Sequence, residues 1–352
     1  MTKKASKRSS LISKRSVLGD NFIKKVPKTL KPLRARQLIR RFHVLSKYKS
    51  TILEQLKTRL DWDEDNQGAL EDNYKSYIKH DPFLNELYCQ EWDSRWKNLV
   101  INKTPESVID PNNNDKISND LSLKDIVKVL AKLDAEITKR GGIEAYQTAS
   151  TLGQDRKRGG DSSKLLVKWI RETNWNHLNA TALEIGCLSS ENEITTSKLF
   201  KHITRIDLHS QEPGTIIKQD FLKMPEPKST AERFNLVSCS LVLNFVPTPE
   251  KRGEMLRRIC RFLKEPTLDG KSLLFVVLPL PCVENSRYCD LPLITLVFSK
   301  LGFKQLKFRK TSKLAYWLLE WHGSKSIDTK FILKKKEIRA GKDRNNFSIV
   351  IK

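Results

Sequence analysis

The chain has 352 residues, 38% of them hydrophobic and 30% charged, enough to bury one large core or two modest ones in a soluble protein. Its 65 Lys and Arg outnumber 41 Asp and Glu, a formal net charge of +24 that points to a polyanionic partner such as nucleic acid. Six cysteines with no C-x-x-C pair, six histidines without ligand spacing, and no apolar run long enough to span a bilayer argue against a zinc site, a disulfide framework and a membrane protein.

The charge is clustered. Residues 1–60 hold 18 basic and two acidic residues, residues 61–120 hold 14 acidic and six basic, and residues 300–352 hold 15 basic and four acidic. Two basic ends around an acidic stretch can form two parts of one RNA groove, or the acidic stretch can pack on a basic one. Residues 1–35, with Pro27 and Pro32 and little apolar periodicity, are expected to be a disordered basic arm without a secretion signal. Its Lys3-Lys4, Lys7-Arg8 and Lys14-Arg15 pairs suit a nuclear address or an RNA contact.

From residue 35 to 60, Leu38, Phe42, Leu45, Ile52, Leu56 and Leu60 fall at helical spacing. Trp62, Tyr74, Tyr77 and Phe83 follow, and Leu84, Leu87, Tyr88, Trp92 and Trp96 are spaced like a helix face; the local acidity favours a helical core over an aromatic platform for stacked bases. Residues 104–120 read as a loop. Ser122 and Asp125 open a helix that stops at Gly141-Gly142, and a short one follows Asp161-Ser162. The polar, glycine-rich block 141–163 suits a loop that covers a ligand, or a plain linker. These segments make up a helical N-terminal region, 36–175.

Beyond residue 176 the texture alternates. Strands are expected at 181–186, 203–207, 215–219, 234–240 and 272–278, and helices at 193–200, 249–263 and 290–301. Later strands fall at 303–309 and 347–351, and Leu314–Trp321 reads as helix or strand. This order predicts an α/β fold: a Rossmann-like, parallel, doubly wound sheet with a final antiparallel hairpin.

The first strand ends in Glu184-Ile185-Gly186 and the second in Asp207. A glycine turn followed some twenty residues later by an acid is how such sheets hold a nucleotide-type cofactor, the carboxylate accepting from ribose hydroxyls. Leu188 and Ser190 stand where a pyrophosphate-binding loop needs its further glycines, which turns the choice from dinucleotides to S-adenosylmethionine. Asp220 closes the third strand, as an acceptor for an adenine amino group or as a solvated strand end. After the fourth strand, within Ser240-Leu-Val-Leu-Asn244-Phe245-Val-Pro247, Asn244 is placed to hydrogen-bond a target base and Phe245 to stack on it, unless the segment is only a strand-to-helix turn.

These pieces together carry a resemblance. Tyr-Gln-x-Ala-Ser-x-x-Gly-Gln (146–154), Arg-Gly-Gly-Asp-Ser-Ser-Lys (158–164), Leu-Glu-Ile-Gly (183–186), Ile-Asp-Leu (206–208) and Ser-Leu-Val-Leu-Asn-Phe-Val-Pro (240–247) resemble the fungal 25S rRNA adenine-N1 methyltransferase family. The likeness runs from about residue 123 to 303, with the terminal Phe-Ser-Ile-Val-Ile. It implies a class I methyltransferase fold, S-adenosylmethionine as donor, an adenine of large-subunit rRNA or a preribosomal particle as substrate, and nucleolar residence. The family's cofactor positions fall on Gly186 and Asp207; Glu184 and Asp220 follow only from the broader class. A monomer without metal is expected. Animal relatives look like cofactor sensors, so a non-catalytic binding protein or an assembly factor is the competing expectation.

Overall fold

The computed structural model describes residues 32–62, 70–101, 121–154, 160–173, 175, 179–210, 212–268 and 270–352. Residues 1–31, most of the expected arm, and the whole of the expected 104–120 loop lie outside them. The described chain forms two compact units, one of residues 40–146 and one of residues 30–39 with 147–352.

The first unit is helical. It is built from α1 (Pro32–Arg59, of which the first turns belong to the second unit), α2 (Leu70–His80), α3 (Pro82–Ile101) and α4 (Leu123–Lys139). The Ser122 side chain caps α4 by accepting from the Asp125 N–H at 3.2 Å, as its spacing predicts. Ile52, Leu56, Tyr74, Ile78, Leu84, Tyr88, Ile126 and Leu130 close one apolar core. Here Tyr74 and Tyr88 are core residues, whereas Phe83 faces out.

Two buried acids organise the polar part of this unit. Asp134 pairs with Lys49 at 2.6 Å and accepts from the hydroxyls of Tyr74 and Tyr88. Glu136 is fully buried and takes guanidinium donors from Arg41, Arg95 and Arg140 at 2.7–3.0 Å. Those three cations hold its carboxyl down at about 2 against the opposing effect of burial.

The second unit is the expected α/β sheet. It runs through α5 (Gly142–Gln154, which starts in the first unit), α6 (Ser163–Arg171), β1 (Thr181–Ile185), α7 (Glu193–Thr196), β2 (His202–Asp207), β3 (Ile217–Lys218) and β4 (Leu236–Ser240). It continues through α8 (Pro249–Phe262), β5 (Ser272–Pro279), α9 (Pro281–Glu284), α10 (Leu291–Lys300), β6 (Phe303–Lys310) and β7 (Leu314–Trp321). The seven strands lie in the order β3-β2-β1-β4-β5-β7-β6. β1 to β5 are parallel, and β7 runs antiparallel to both of its neighbours. Apolar clusters cover both faces, as a doubly wound sheet requires.

Four expectations change. The block 141–163 is not a loop throughout: Gly142–Gln154 is helical, with Ala145, Gln147 and Ala149 on its buried side. The helix expected at 193–200 stops after Thr196, and Lys198 takes φ +55°. The third strand shrinks to Ile217–Lys218, an exposed edge. The antiparallel hairpin is β6 with β7, not the terminal segment. Phe347, Ile349 and Ile351 are buried, but the segment packs on α8 and meets another extended segment only at the Leu333–Ile351 bridge.

Candidate active site

The strand order reverses between β1 and β4, the topological switch where α/β sheets bind ligands outside their carboxyl ends. Glu184, Gly186, Asp207, Asp220, Asn244 and Phe245 all lie at that edge of the second unit, in β1 and β2 or the turns that leave β1, β3 and β4.

Gly186 has φ +76°, and a Cβ built on it would stand 2.3 Å from Val242 Cγ2. Both facts demand glycine. The N–H groups of Gly186 and Cys187 share the Ile206 carbonyl at 2.8 and 3.1 Å, which turns the chain across the top of β2.

Glu184 is buried. Its Oε1 accepts from Asn192 Nδ2 at 2.8 Å, while Oε2 is buried without a hydrogen-bond partner. The neighbouring Cys187 thiol points to the Ser189 carbonyl at 3.3 Å. Burial pushes the Glu184 carboxyl up to about 7. Asp207 ends β2 and accepts from the His209 N–H at 2.8 Å; burial raises its carboxyl to about 6. Carboxyls raised in this way at the ligand-binding edge of such a sheet are candidates for a functional site.

Asp220 caps the turn Phe221–Lys223 by accepting from the Leu222 N–H at 2.9 Å. Phe221 turns into the core against Phe262, with ring centroids 5.0 Å apart. Asn244 is buried and Phe245 half-buried in the turn after β4. That turn starts with Leu241 at φ +56°, a left-handed residue of the kind that collects at functional sites.

The block before the sheet ties these turns together. Asp161 Oδ2 accepts from the Glu193 N–H at 2.5 Å, and Ser163 Oγ accepts from the Ile194 N–H at 2.9 Å. Ser162 Oγ meets Ser240 Oγ at 2.7 Å, and Gln147 Nε2 donates to the His209 carbonyl at 2.6 Å. So Gln147 and residues 161–163 clamp the turns after β1, β2 and β4. Three roles escape sequence reasoning: Asn192 as the donor to Glu184, Leu241 as the strained pivot, and Arg252, whose guanidinium bonds the Val246 and Pro247 carbonyls at 3.0 and 3.2 Å. Positive φ at Leu241 has no sequence signal, and the other two depend on contacts the fold creates. Among the described residues no group of His, Cys, Asp and Glu side chains could hold a metal ion.

Residues 131–349 match the protein family described as "25S rRNA (adenine(2142)-N(1))-methyltransferase, Bmt2". This chain belongs to that family. The matched span holds all six candidate residues. A Saccharomyces cerevisiae protein curated as "25S rRNA (adenine(2142)-N(1))-methyltransferase" is 35% identical over 349 residues, covering 98% of this chain and 99% of the relative. A Schizosaccharomyces pombe "25S rRNA adenine-N(1) methyltransferase" is 42% identical over 216 residues, 59% of this chain and 76% of the relative. Among solved structures, the N-methyltransferase NodS of Bradyrhizobium japonicum, in complex with S-adenosyl-L-homocysteine, overlaps 47% of this chain and 91% of its own at 14% identity and a TM-score of 0.32. An overlap that slight carries no weight for function.

Proposed function

We propose that this chain is an S-adenosylmethionine-dependent enzyme that methylates N1 of an adenine in large-subunit (25S) rRNA. The family match carries the reading, because it runs the whole length of the sheet and takes in every turn at the carboxyl edge.

The residues fit the donor. Gly186 makes the left-handed turn that packs against Val242 and that no side chain would allow, Glu184 offers a buried oxygen in need of a hydrogen, and Asp207 ends β2 where a ribose acceptor belongs. Asp220 keeps a second carboxylate oxygen beyond its cap for the adenine amino group. Bound S-adenosylmethionine supplies a methyl group on a sulfonium, and its departure leaves a neutral thioether.

Adenine N1 attacks with its own lone pair, so no side chain has to remove a proton first. The protein contributes alignment and exclusion of water. Because N1 lies on the Watson–Crick edge, the base must be unpaired or flipped out. Asn244 would hydrogen-bond it and Phe245 would stack on it, from a turn held by Leu241 at one end and Arg252 at the other. The basic chain termini add phosphate affinity. Work on rRNA places the protein with ribosome biogenesis in the nucleus; the nucleolus and a monomeric working state complete the proposal.

The test is methyl transfer from labelled S-adenosylmethionine to rRNA that lacks the mark. Asn244→Ala should lower kcat at least tenfold and leave donor affinity unchanged. Donor binding without transfer to any deproteinised rRNA would favour a cofactor sensor, and a preribosome as the only accepted substrate would favour a late assembly role.

A further inference from the structure

The sequence after β7 carries the last block of positive charge, and the fold gives it a defined course. Residues 330–352 hold eight Lys and Arg against Glu337 and Asp343 and contain no helix or sheet strand. The segment is nevertheless held along its length. Arg287 reaches the carbonyls of Lys342 and Arg344 at 3.1 and 2.9 Å, and its own carbonyl takes the N–H groups of Ile338 and Arg339. Arg339 bonds the Glu284 carbonyl at 2.6 Å and pairs with Asp290 at 3.4 Å. Asn345 Nδ2 donates to the carbonyls of Pro281 and Asn285.

These anchors follow the carboxyl end of β5, and the Lys335 ammonium lies over the Tyr288 ring, 4.3 Å from its centroid, so residues 335–345 form a strap on the same edge as the candidate site. One side chain joins the two. Arg252 bonds the Ser348 carbonyl of the strap at 2.7 Å while it holds the Val246 and Pro247 carbonyls of the turn that carries Asn244. Gly253 permits the approach: a Cβ there would stand 1.8 Å from the Val350 carbonyl oxygen.

The cations divide by role. The arginines spend their donors on backbone carbonyls, on Asp290 and on asparagine side chains, and build the strap. Lys334, Lys336 and Lys342 are exposed and make no ion pair with any described residue. Ammonium groups left in solvent on a fixed backbone, next to a site that must receive a splayed-out nucleotide, match the spaced charges of a nucleic-acid backbone.

We propose that the strap is an rRNA-binding surface, with Lys334, Lys336 and Lys342 contacting phosphates flanking the target adenine and Arg252 fixing that surface to the base-binding turn. This rests on the rRNA methyltransferase reading.

The experiment compares two triple variants of the full chain. K334Q/K336Q/K342Q removes the strap cations. K201Q/K304Q/K325Q removes three exposed lysines at the opposite edge of the sheet. Binding to 25S rRNA lacking the mark is measured by fluorescence anisotropy over a salt series. Loss of three phosphate contacts should make the slope of log affinity against log salt shallower by about 2 and weaken binding about tenfold or more at moderate salt. The control triple should track wild type, and S-adenosylmethionine affinity should not move in either. Equal losses in both triples, or no loss in the strap triple, would overturn the assignment. Methyl transfer by wild type in the same samples tests the enzyme reading separately: no transfer with the binding difference intact would sink that reading alone.

Discussion

At Gly186 the left-handed backbone and the 2.3 Å that a Cβ would leave to Val242 Cγ2 act together. Gly186→Ala is therefore expected to cost about 1–3 kcal/mol of stability and to weaken S-adenosylmethionine binding at least tenfold, read by urea melts and calorimetry. Asp207→Asn keeps the shape but removes a charged acceptor, which should weaken donor binding about tenfold to a hundredfold. The buried Glu184 and half-buried Asp207 carboxyls give a pH signature. Burial raises Glu184 from 4.5 to about 7 and Asp207 from 3.8 to about 6. A raised acid binds more protons folded than unfolded, so its contribution to stability is present at low pH and is lost as pH rises through the folded value. The donor-free protein should lose stability between the unfolded values near 4–4.5 and about pH 7, and Glu184→Gln should flatten the upper part of that window in thermal melts. A donor that needs both carboxylates charged should bind more tightly as pH rises through 6 and 7.

Between elements, two arginine arrangements carry different loads. In the helical unit, Glu136 gathers Arg41, Arg95 and Arg140. Glu136→Gln removes the anion these three share and should cost about 3–5 kcal/mol in urea melts, with little effect on donor affinity of whatever folds. In the sheet unit, Arg252 holds three carbonyls from two segments. Lysine, as a point charge on a flexible stem, cannot reproduce that fork. Arg252→Lys should lower kcat about tenfold with donor affinity within twofold of wild type, which separates positioning of the turn from loss of the fold. Elements were legible where the pattern is local. The apolar runs of β1, β4 and β5 and the Ser122 and Asp161-Ser162 helix starts stand in the sequence as they stand in the fold. Leu314–Trp321 was ambiguous because its burial follows no clean period; pairing with β5 and β6 decides it, and that is a long-range fact. Residues 347–351 alternate like a strand, yet their backbone turns to Pro249 and Leu333 rather than to a sheet edge. Block 142–154 has the composition of a loop and becomes a helix because Ala145 and Ala149 have a surface to bury against.

On the scale of the whole chain, the positions of the candidate site residues were more legible than their supports. Glu184, Gly186, Asp207, Asp220, Asn244 and Phe245 can be placed from strand ends alone, since a parallel doubly wound sheet puts every strand's carboxyl end on one edge. Asn192, Ser240 and Arg252 cannot, because their partners stand 8, 78 and up to 96 residues away along the chain, and Leu241 cannot, because its left-handed backbone has no sequence signal. The positive ends of the chain pointed to nucleic acid, and the fold adds where one of them lies: on the site's own edge. The central claim is that this edge delivers a methyl group to N1 of an rRNA adenine. The most direct measurement takes 25S rRNA from cells lacking this gene, incubates it with the purified protein and labelled S-adenosylmethionine, and maps the product by reverse transcription, which stops at a blocked Watson–Crick edge. One labelled N1-methyladenosine, formed by wild type and lost with Asp207→Ala, is the expected result; unlabelled rRNA with normal donor binding, or label that survives Asp207→Ala, would contradict it.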